Sequence, residues 1–421
     1  MGDARVVIFG AGKMGLPLAC VLASHGARVI ACDPDAAKVT LINDGICPFE
    51  EPGVPELLQS EVGHGRLYAT TDAKAALHDA TVAIVIVPVL LHEDRRADLS
   101  IITDVARSIA AHAPDDCLVC FETTLPVGAT RRLAALIQSE RGAPMTVAFS
   151  PERVKSLHVL ESLTKTPKIV GGVTDEASHR AETFYAQYLG APVINVGSAE
   201  AAEMTKLADM IYRDVNIALA NELAWYCADH DLDFATIRAA ANTSGESALL
   251  LPGIGVGGHC TPVYPWFVIR DGMWDSLTAM GRQINEQQPA EVLAQFESQV
   301  GSFDGERIAI LGLGFRPGVK EHTCSPAFAI RDVLKPKPCE VRLHDPLYTS
   351  DEIRAHGFEP LDALDSGWPT ILVLNTAHAE YKHLNFQHLA EKGINAVLDG
   401  RNAWNAEIIR AAGINCMGIG K

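Results

Sequence analysis

Short apolar runs alternate with helical patterns through the first part of the chain. The run Arg5–Phe9 ends in glycines, a helical pattern follows over residues 14–25, and Arg28–Cys32 indicates a second strand. Four further apolar runs, separated by helical patterns, cover residues 81–87, 117–121, 146–149 and 168–171. This alternation predicts a parallel sheet with helices on both faces.

The middle of the chain follows a different pattern. Residues 198–244 contain neither Gly nor Pro, and apolar side chains recur there at helical spacing, namely Met204, Leu207, Ile211, Val215 and Ala218. One helix over residues 199–230 is predicted, with a length of about 45–50 Å. A helix this long cannot be covered by one small domain, so we expect it to connect two domains and to pack against a second subunit in a homodimer.

The last part of the chain returns to the alternating pattern. Strands are indicated at residues 307–313, 341–344, 371–374 and 396–398, and helices at 326–334, 386–392 and 405–412. Residues 308–314 echo residues 6–12, and Asp345 follows its second strand as Asp33 does. The predicted fold class is α/β, with two Rossmann-like doubly wound domains joined by a central helical region that contains one long helix. The predicted boundaries are residues 1–197, 198–300 and 301–421.

Length and charge narrow the possible classes of protein. The 421 residues fit two or three domains, and the net charge of −17 argues against nucleic acid or an anionic membrane as a partner, because both require a basic surface. A small anionic substrate stays compatible, since a few local Arg and Lys side chains can bind it. No signal peptide is recognised, and the apolar run at residues 82–91 is too short to span a bilayer. We expect a soluble cytoplasmic protein.

Ten cysteines are dispersed along the chain, and only Cys117 and Cys120 share the C-x-x-C spacing of many zinc sites. These two lie in an apolar run typical of a buried strand, without suitably spaced further ligands, so no metal site is expected. Reduced cysteines used as small hydrophobic residues explain nearly all of them. Cys260 is the exception.

A glycine-rich turn after the first strand indicates a dinucleotide site. Residues 10–15 read GAGKMG, in which Gly10 permits the tight turn, Gly12 lets the backbone approach a pyrophosphate and Gly15 lets the helix meet the strand. Asp33 ends the second strand, where a carboxylate binds ribose hydroxyls and repels the 2′-phosphate of NADP. The motif alone could be a turn without a cofactor, but strand, turn, helix, strand and acid together favour NAD. The third glycine is displaced in the copy at residues 312–314, so no second dinucleotide is expected there.

A second glycine-rich segment presents a cysteine. Four glycines precede Cys260 in the stretch 252–266, which reads PGIGVGGHCTPVYPW. A glycine-rich backbone can approach a ligand closely and direct N–H groups at anions, and a thiol held there can attack a carbonyl. A glycine-rich turn around a buried structural cysteine is the alternative.

This loop resembles the G-x-G-V-G-G-H-C segment of the UDP-glucose/GDP-mannose dehydrogenase family, especially its UDP-N-acetylmannosamine dehydrogenase branch. Other segments match the family in order and extend the resemblance over essentially the whole chain, namely residues 122–128, 149–154, 202–208, 212–216, 281–285 and 399–402. The resemblance implies an NAD-binding first domain, a central dimerisation domain with the cysteine loop, and a third domain that binds a nucleotide sugar, with UDP as the expected nucleotide.

The resemblance also implies a reaction. Members of this family oxidise the C6 primary alcohol of a nucleotide sugar, here a UDP-N-acetylhexosamine or UDP-hexose, to a uronate in two hydride transfers to two NAD. By resemblance Cys260 is the nucleophile that forms a thiohemiacetal and then a thioester. Lys206 would stabilise the oxyanion, while Glu152 and Thr124 would position water, with Glu152 as a general base. In isolation Lys206 could be a solvated helix charge, Glu152 an acid of the N-cap type and Thr124 a turn hydroxyl.

Two expected binding sets complete the resemblance. The cofactor set is Gly10, Gly12, Met14, Gly15, Asp33, Lys38, Pro88 and Thr124. The substrate set is Glu152, Arg153, Lys206, Gly255, Gly257, Gly258, Arg316 and Arg401.

The sequence departs from the common family pattern at several polar positions. The family usually has Asn, Asp, Glu and Arg at four positions where this chain has, in the same order, Met210, Tyr264, Ser156 and Thr323. An Arg that the family often has upstream of the cysteine is also absent. These changes leave the sugar and the efficiency of the second oxidation open. Two other hypotheses are therefore kept: a two-electron NAD-dependent alcohol dehydrogenase, and a catalytically weak protein that binds nucleotide sugars.

Overall fold

A computed structural model describes residues 4–269 and 275–421 of the chain. They form two compact units, Met1–Asp209 with Trp266–Val268 and Met210–Pro265 with Ile269–Lys421. Each unit contains its own sheet, which confirms the predicted α/β class with a helical middle. The division at residues 197 and 300 into three domains stays a prediction.

The first unit is built on an eight-stranded sheet with the order β10-β9-β8-β7-β4-β1-β2-β3. The strands that form it are β1 Arg5–Phe9, β2 Arg28–Cys32, β3 Leu67–Thr70, β4 Val82–Val85, β7 Leu118–Phe121, β8 Thr146–Phe149, β9 Lys168–Gly172 and β10 Val193–Ser198. All neighbours are parallel except β8 and β9, so the prediction of an entirely parallel sheet is wrong at this pair. An apolar run does not reveal strand direction, which the connecting segment determines.

Helices cover both faces of this sheet. They are α1 Gly15–Ser24, α2 Ala36–Asn43, α3 Val54–Gly63, α4 Ala73–Leu77, α5 Ser100–His112, α6 Ala129–Arg141, α7 Val159–Lys165 and α8 Asp175–Tyr188. Val6 and Ile8 of β1 belong to the core under α1, whereas Val7 and Phe9 belong to the core under α5 and α6. Burial on both faces explains why the strands are continuous apolar runs.

One long helix, α9, covers Ala199–Asp229 and is 31 residues long, or about 46 Å, which confirms the predicted helix. It starts in the first unit and continues in the second, since the boundary falls between Asp209 and Met210.

The second unit combines helices with a six-stranded parallel sheet of order β13-β12-β11-β14-β15-β16. Its strands are β11 Arg307–Leu311, β12 Glu340–His344, β13 Glu359–Pro360, β14 Ile371–Leu374, β15 Ala396–Asp399 and β16 Asn415–Gly418. Its helices after α9 are α10 Phe234–Ala241, α11 Leu277–Val300, α12 Pro326–Leu334, α13 Ser350–Ala355, α14 Phe386–Glu391 and α15 Ala406–Ala411. The sequence pattern does not predict α11, because Pro289 lies inside it.

Shorter elements complete the fold. A two-stranded antiparallel hairpin joins β5 Leu90–Leu91 to β6 Ala97–Asp98, and one-turn 3₁₀ helices cover Asn242–Ser244, Tyr264–Phe267 and Ala379–Tyr381. The short segment after the cysteine loop belongs to the first unit: Arg95 lies 4.0 Å from the ring centre of Trp266, and Phe267 packs against the core. Within the described residues, no helix has the length and apolar character required to cross a membrane.

Candidate active site

The turn between β1 and α1 has the shape of a phosphate cradle. Gly10 has φ +98°, its N–H donates to the Cys32 carbonyl at 2.9 Å, and a Cβ atom there would lie 2.5 Å from the Ile86 carbonyl oxygen. A Cβ atom on Gly15 would collide with the Gly10 carbonyl, whereas one on Gly12 would meet nothing within 4 Å. The protein itself therefore requires Gly10 and Gly15, while the backbone at Gly12 is open to a ligand. No side chain caps the first turn of α1, where Met14 is the N-cap residue.

Asp33 follows β2 and is only 6% exposed. Its carboxylate accepts the Ala11 N–H at 2.9 Å and pairs with the Lys38 ammonium at 2.9 Å. Burial acts to raise the pKa of Asp33, but Lys38 and the N–H groups of Ala11 and Asp35 outweigh it, so the pKa is lowered. An ionised carboxylate beside an open glycine turn fits the adenosine half of NAD.

The other predicted cofactor residues lie at the same edge of the sheet. Pro88 is exposed in the segment after β4, and Thr124 is buried in the segment after β7. Since β4 and β7 are parallel neighbours, with Val85 beside Phe121, both segments leave the carboxyl edge. Ligands of doubly wound sheets bind at this edge.

The corresponding turn in the second unit makes its hydrogen bonds internally. Asp345 accepts the N–H groups of Leu313 at 2.7 Å and Gly314 at 3.2 Å, and the Asn375 amide donates to the Gly312 carbonyl at 2.9 Å. A Cβ atom on Gly312 would collide with Thr376.

Glu152 lies just after β8, and its side chain is only 12% exposed. One carboxylate oxygen accepts the Arg153 N–H at 2.6 Å, and the other is buried 3.7 Å from the Lys168 ammonium. The start of the nearest downstream helix is Val159, so Glu152 is not an N-cap residue. Arg153 itself reaches Asp209 at 4.0 Å and the Pro167 carbonyl at 3.5 Å.

Lys206 is buried on α9, with 7% of the residue exposed. This burial excludes the alternative of a solvated helix charge, and no carboxylate of the described residues lies within 4.0 Å of its ammonium. Glu203, one turn earlier, accepts the N–H groups of Gly128 at 2.5 Å and Thr130 at 2.7 Å. These bonds fix the start of α9 against the turn that follows Thr124. A mostly buried lysine whose ammonium has no ion pair can pair with a negative charge on a bound ligand.

The cysteine loop belongs to the second unit, and Cys260 is half-buried rather than inaccessible. Its carbonyl accepts the N–H groups of Val263 at 3.2 Å and Tyr264 at 2.9 Å, which starts the following turn. The neighbouring His259 pairs with Glu321 at 2.5 Å and contacts the Thr323 hydroxyl at 3.2 Å. Thr323, which stands where the family usually has Arg, thus contacts His259, the residue next to Cys260.

The glycines of this loop have packing roles whatever they bind. A Cβ atom on Gly255 would lie 2.8 Å from Pro326, one on Gly257 would collide with Phe315, and Gly258 has φ +103°. Arg401 donates to the Gly255 carbonyl at 3.2 Å, and burial lowers the pKa of its guanidinium to about 10. Arg316 is half-buried in the segment after β11.

A buried polar network, absent from the predicted site, holds both ends of the cysteine loop. At one end Asn221 accepts the Gly253 N–H at 3.1 Å, and at the other Arg282 donates to the Thr261 carbonyl at 3.2 Å. The two ends are linked through Asn285 and Asp214, by the contacts Asn221–Asn285 at 3.0 Å, Asn285–Asp214 at 2.8 Å and Arg282–Asp214 at 2.8 Å. All four side chains are at least 98% buried. Asp214 and Asn221 are seven residues apart on α9, and Arg282 and Asn285 are three apart on α11, so each pair lies on one helix face. This spacing of polar residues is visible in the sequence.

We expect Asn285→Ala to reduce the free energy of unfolding by about 2–4 kcal/mol, because it removes the buried hydrogen bonds of Asn285 to Asp214 and Asn221 and leaves a cavity between them. Chemical denaturation of the NAD-free protein measures this change. Gln283→Ala, an exposed amide on the same helix, is the matched control and should lie within about 0.5 kcal/mol of wild type. Equal stability of the two variants would contradict a structural role for the network.

No group of three or more His, Cys, Asp or Glu side chains is arranged to hold a metal ion in residues 4–269 and 275–421.

Comparison with protein families decides what the two sheets and the helical middle represent. The NAD binding domain of the UDP-glucose/GDP-mannose dehydrogenase family matches residues 4–189, its central domain residues 200–287, and its UDP binding domain residues 309–406. The chain belongs to the UDP-glucose/GDP-mannose dehydrogenase family. It is thus an NAD-dependent oxidoreductase, which confirms the predicted cofactor, and its third family domain is the one that binds UDP.

Similar proteins cover this dehydrogenase along its whole length. The NDP-N-acetyl-D-galactosaminuronic acid dehydrogenase of Ralstonia solanacearum is 33% identical, over 97% of this chain and 98% of its own. The UDP-N-acetyl-D-mannosamine dehydrogenase of Escherichia coli K12 is 30% identical, over 96% and 100%. The solved structure of UDP-D-ManNAc dehydrogenase from Pyrococcus horikoshii has a TM-score of 0.91 at 29% identity and covers 99% of both chains.

Proposed function

We propose that this dehydrogenase oxidises the C6 primary alcohol of a UDP-linked N-acetylhexosamine to a carboxylate, with Cys260 as a covalent nucleophile. The names of the relatives, which refer to N-acetylated sugars, favour this substrate over a UDP-hexose. The observation that carries the proposal is the partly accessible Cys260 on a loop whose two ends are held by one buried network.

NAD would be held by residues of the first unit. The backbone at Gly12 and the uncapped start of α1 face the pyrophosphate, and the Asp33 carboxylate accepts the ribose hydroxyls. Bound NAD supplies the acceptor for a hydride in each oxidation. Met14, Lys38, Pro88 and Thr124 complete the proposed set.

Cys260 carries the second half of the reaction. Its thiolate adds to the aldehyde carbon, with the C–S bond forming as the carbonyl π pair moves to oxygen, and oxidation of this thiohemiacetal gives a thioester. Water then displaces the thiolate and releases the carboxylate. The balance is one primary alcohol and one water converted to one carboxylate, with four electrons delivered as two NADH and three protons released.

Buried charges assist these steps in the proposal. Lys206, which lacks a carboxylate partner, stabilises the oxyanion of the thiohemiacetal, while Glu152 and Thr124 position the attacking water and Glu152 accepts its proton. Arg153, Arg316 and Arg401 are proposed to contact the UDP-sugar, as are the backbone groups of Gly255, Gly257 and Gly258.

The stoichiometry of the reaction tests the function. Purified protein is incubated with NAD and a panel of UDP-sugars while NADH and product mass are followed. Two NADH and a uronate for each N-acetylhexosamine consumed are expected. One NADH with an aldehyde product would identify a two-electron dehydrogenase, turnover of UDP-hexoses alone would overturn the proposed sugar, and binding without NADH would contradict catalysis.

We expect Asp33→Ala to weaken NAD binding and to narrow the preference for NAD over NADP. The variant loses the ribose acceptor and leaves the Lys38 ammonium unpaired beside the position of a 2′-phosphate. Steady-state kcat/KM with each cofactor measures the preference. The control is Asp35→Ala, which removes a neighbouring helix cap but keeps Asp33, and it should retain the preference for NAD. Comparable kcat/KM values of the wild type with NADP and NAD would contradict the role of Asp33.

An apolar stripe on α9 supports the proposed homodimer. Met204, Tyr212, Leu219 and Tyr226 recur every seven or eight residues and are 40%, 56%, 40% and 60% exposed. Exposed apolar side chains at this spacing on one helix favour a subunit contact. Sedimentation should show a dimer for the wild type, and the double variant Tyr212→Glu/Tyr226→Glu should weaken that dimer. A wild-type monomer at micromolar concentration would overturn the proposed homodimer. We further propose that the enzyme acts in the cytoplasm.

A further inference from the structure

A buried cluster of charges lies directly under Glu152 in the first unit. The Lys168 ammonium, 5% exposed, is 2.7 Å from one oxygen of Glu122 and 3.7 Å from the buried oxygen of Glu152. The Tyr185 hydroxyl donates to the other oxygen of Glu122 at 2.6 Å. One lysine is therefore shared by two carboxylates, and only one of them carries a proposed catalytic role.

We infer that Lys168 and Glu122 are positioning residues that set the charge state and orientation of Glu152. The inference rests on the proposed role of Glu152 as the base. Glu152 has one oxygen held by the Arg153 N–H, and its other oxygen has no hydrogen-bond partner but faces Lys168. Lys168 thus places a positive charge 3.7 Å from the buried oxygen of Glu152, and it shares that charge with Glu122 at 2.7 Å.

The backbone makes the arrangement rigid. The Glu152 N–H donates to the Glu122 carbonyl at 3.3 Å, and the Glu122 N–H donates to Val85 at 2.8 Å. Lys168 opens β9, so the three charged side chains come from the ends of adjacent strands β7, β8 and β9. The backbone therefore fixes the positions from which the three charged side chains extend.

The remaining titratable groups around Glu152 are neutral or paired elsewhere. Burial raises the pKa values of Cys120 and Tyr185, so both keep their protons at neutral pH. Arg153 lies 4.0 Å from Asp209 on α9. Burial raises the pKa of Glu122 and Glu152 adds to that rise, whereas the Lys168 ammonium at 2.7 Å and the Tyr185 hydroxyl favour its ionised form. A change at Lys168 or Glu122 therefore alters the charge that faces Glu152, and Lys168→Met also removes the ion pair of Glu122.

Two substitutions should move the pH dependence of kcat in opposite directions. Lys168→Met removes the positive charge 3.7 Å from Glu152, which disfavours a negative charge there, so the acid limb of the profile moves to higher pH by about 1 unit or more. Glu122→Gln removes a negative charge and leaves Lys168 to Glu152 alone, so the limb moves to lower pH. A purely structural role would lower kcat without opposite shifts. Lys165→Met, an exposed lysine paired with Glu161, is the control and should leave the limb in place.

The outcomes separate this inference from the proposed function. Glu152→Gln with wild-type kcat and pH profile would show that Glu152 is not the base, and the proposed function would need another. A low kcat in Glu152→Gln would support the proposed base. If the acid limb then stays in place in Lys168→Met and Glu122→Gln, or moves in the same direction in both, only the inference about Lys168 and Glu122 is overturned. Should Lys168→Met fail to fold, the downward shift in Glu122→Gln decides, because Gln keeps the volume and still accepts the Tyr185 hydroxyl.

Discussion

Cys260→Ser is expected to reduce kcat by at least about 10³-fold and to stall with a sugar ester on residue 260. A serine alkoxide forms far less readily than a thiolate, and an alkyl ester is hydrolysed more slowly than a thioester. Intact mass spectrometry after incubation with NAD and the UDP-sugar should detect the adduct. Wild-type enzyme quenched during turnover should carry the corresponding thioester.

Cys260→Ala separates the two halves of the reaction. Without a nucleophile it forms no adduct, yet it keeps the groups proposed for the first oxidation, so one NADH and an aldehyde are the most it should produce. Cys47→Ser, which alters a half-buried thiol between α2 and α3, is the matched control and should retain wild-type kcat. Carboxylate formed by Cys260→Ala at the wild-type rate would show that the acid arises through a hydrated aldehyde.

Lys206→Met is expected to lower kcat by roughly 10²–10³, the effect of removing one group that stabilises an oxyanion. Methionine keeps the unbranched shape and helix preference of the side chain and most of its length. Because Lys206 is buried without a carboxylate within 4.0 Å, removing its charge should not reduce stability. A lower kcat together with an unchanged or higher melting temperature is therefore the signature of a functional lysine.

The matched control for this prediction is Lys392→Met, an exposed lysine at the end of α14, which should change neither kcat nor the melting temperature. Rapid-quench measurement of the covalent adduct locates the defect, since Lys206→Met should slow formation of the thioester more than substrate binding. Wild-type kcat in Lys206→Met would contradict the role.

Apolar periodicity predicted the strands and helices that bury one continuous face. Arg28–Cys32, Thr146–Phe149 and α9 lie where the pattern placed them, because burial determines both the pattern and the element. Strand direction was missed at β8 and β9, since direction depends on a connection rather than on composition.

The sequence motifs led to the proposed site residues, but not to the buried residues that contact them. Lys168 looks like an ordinary charged residue at the start of an apolar run, and its ion pair with Glu122 spans 46 positions of sequence. Asp214 and Asn285 pair across 71 positions. The fold brings such partners together, so a single sequence contains the residues but does not show which of them are in contact.

The short excursion of Trp266–Val268 into the first unit affects how this protein is made. Phe267 packs against the core of that unit and Trp266 lies under Arg95, although more than fifty residues of the second unit precede them in the chain. During synthesis the packing of the first unit therefore stays incomplete until the cysteine loop has left the ribosome. A fragment cut after residue 209 would expose an apolar gap, so the cofactor-binding half is expected to aggregate when expressed alone and to recover when the 210–268 segment is restored.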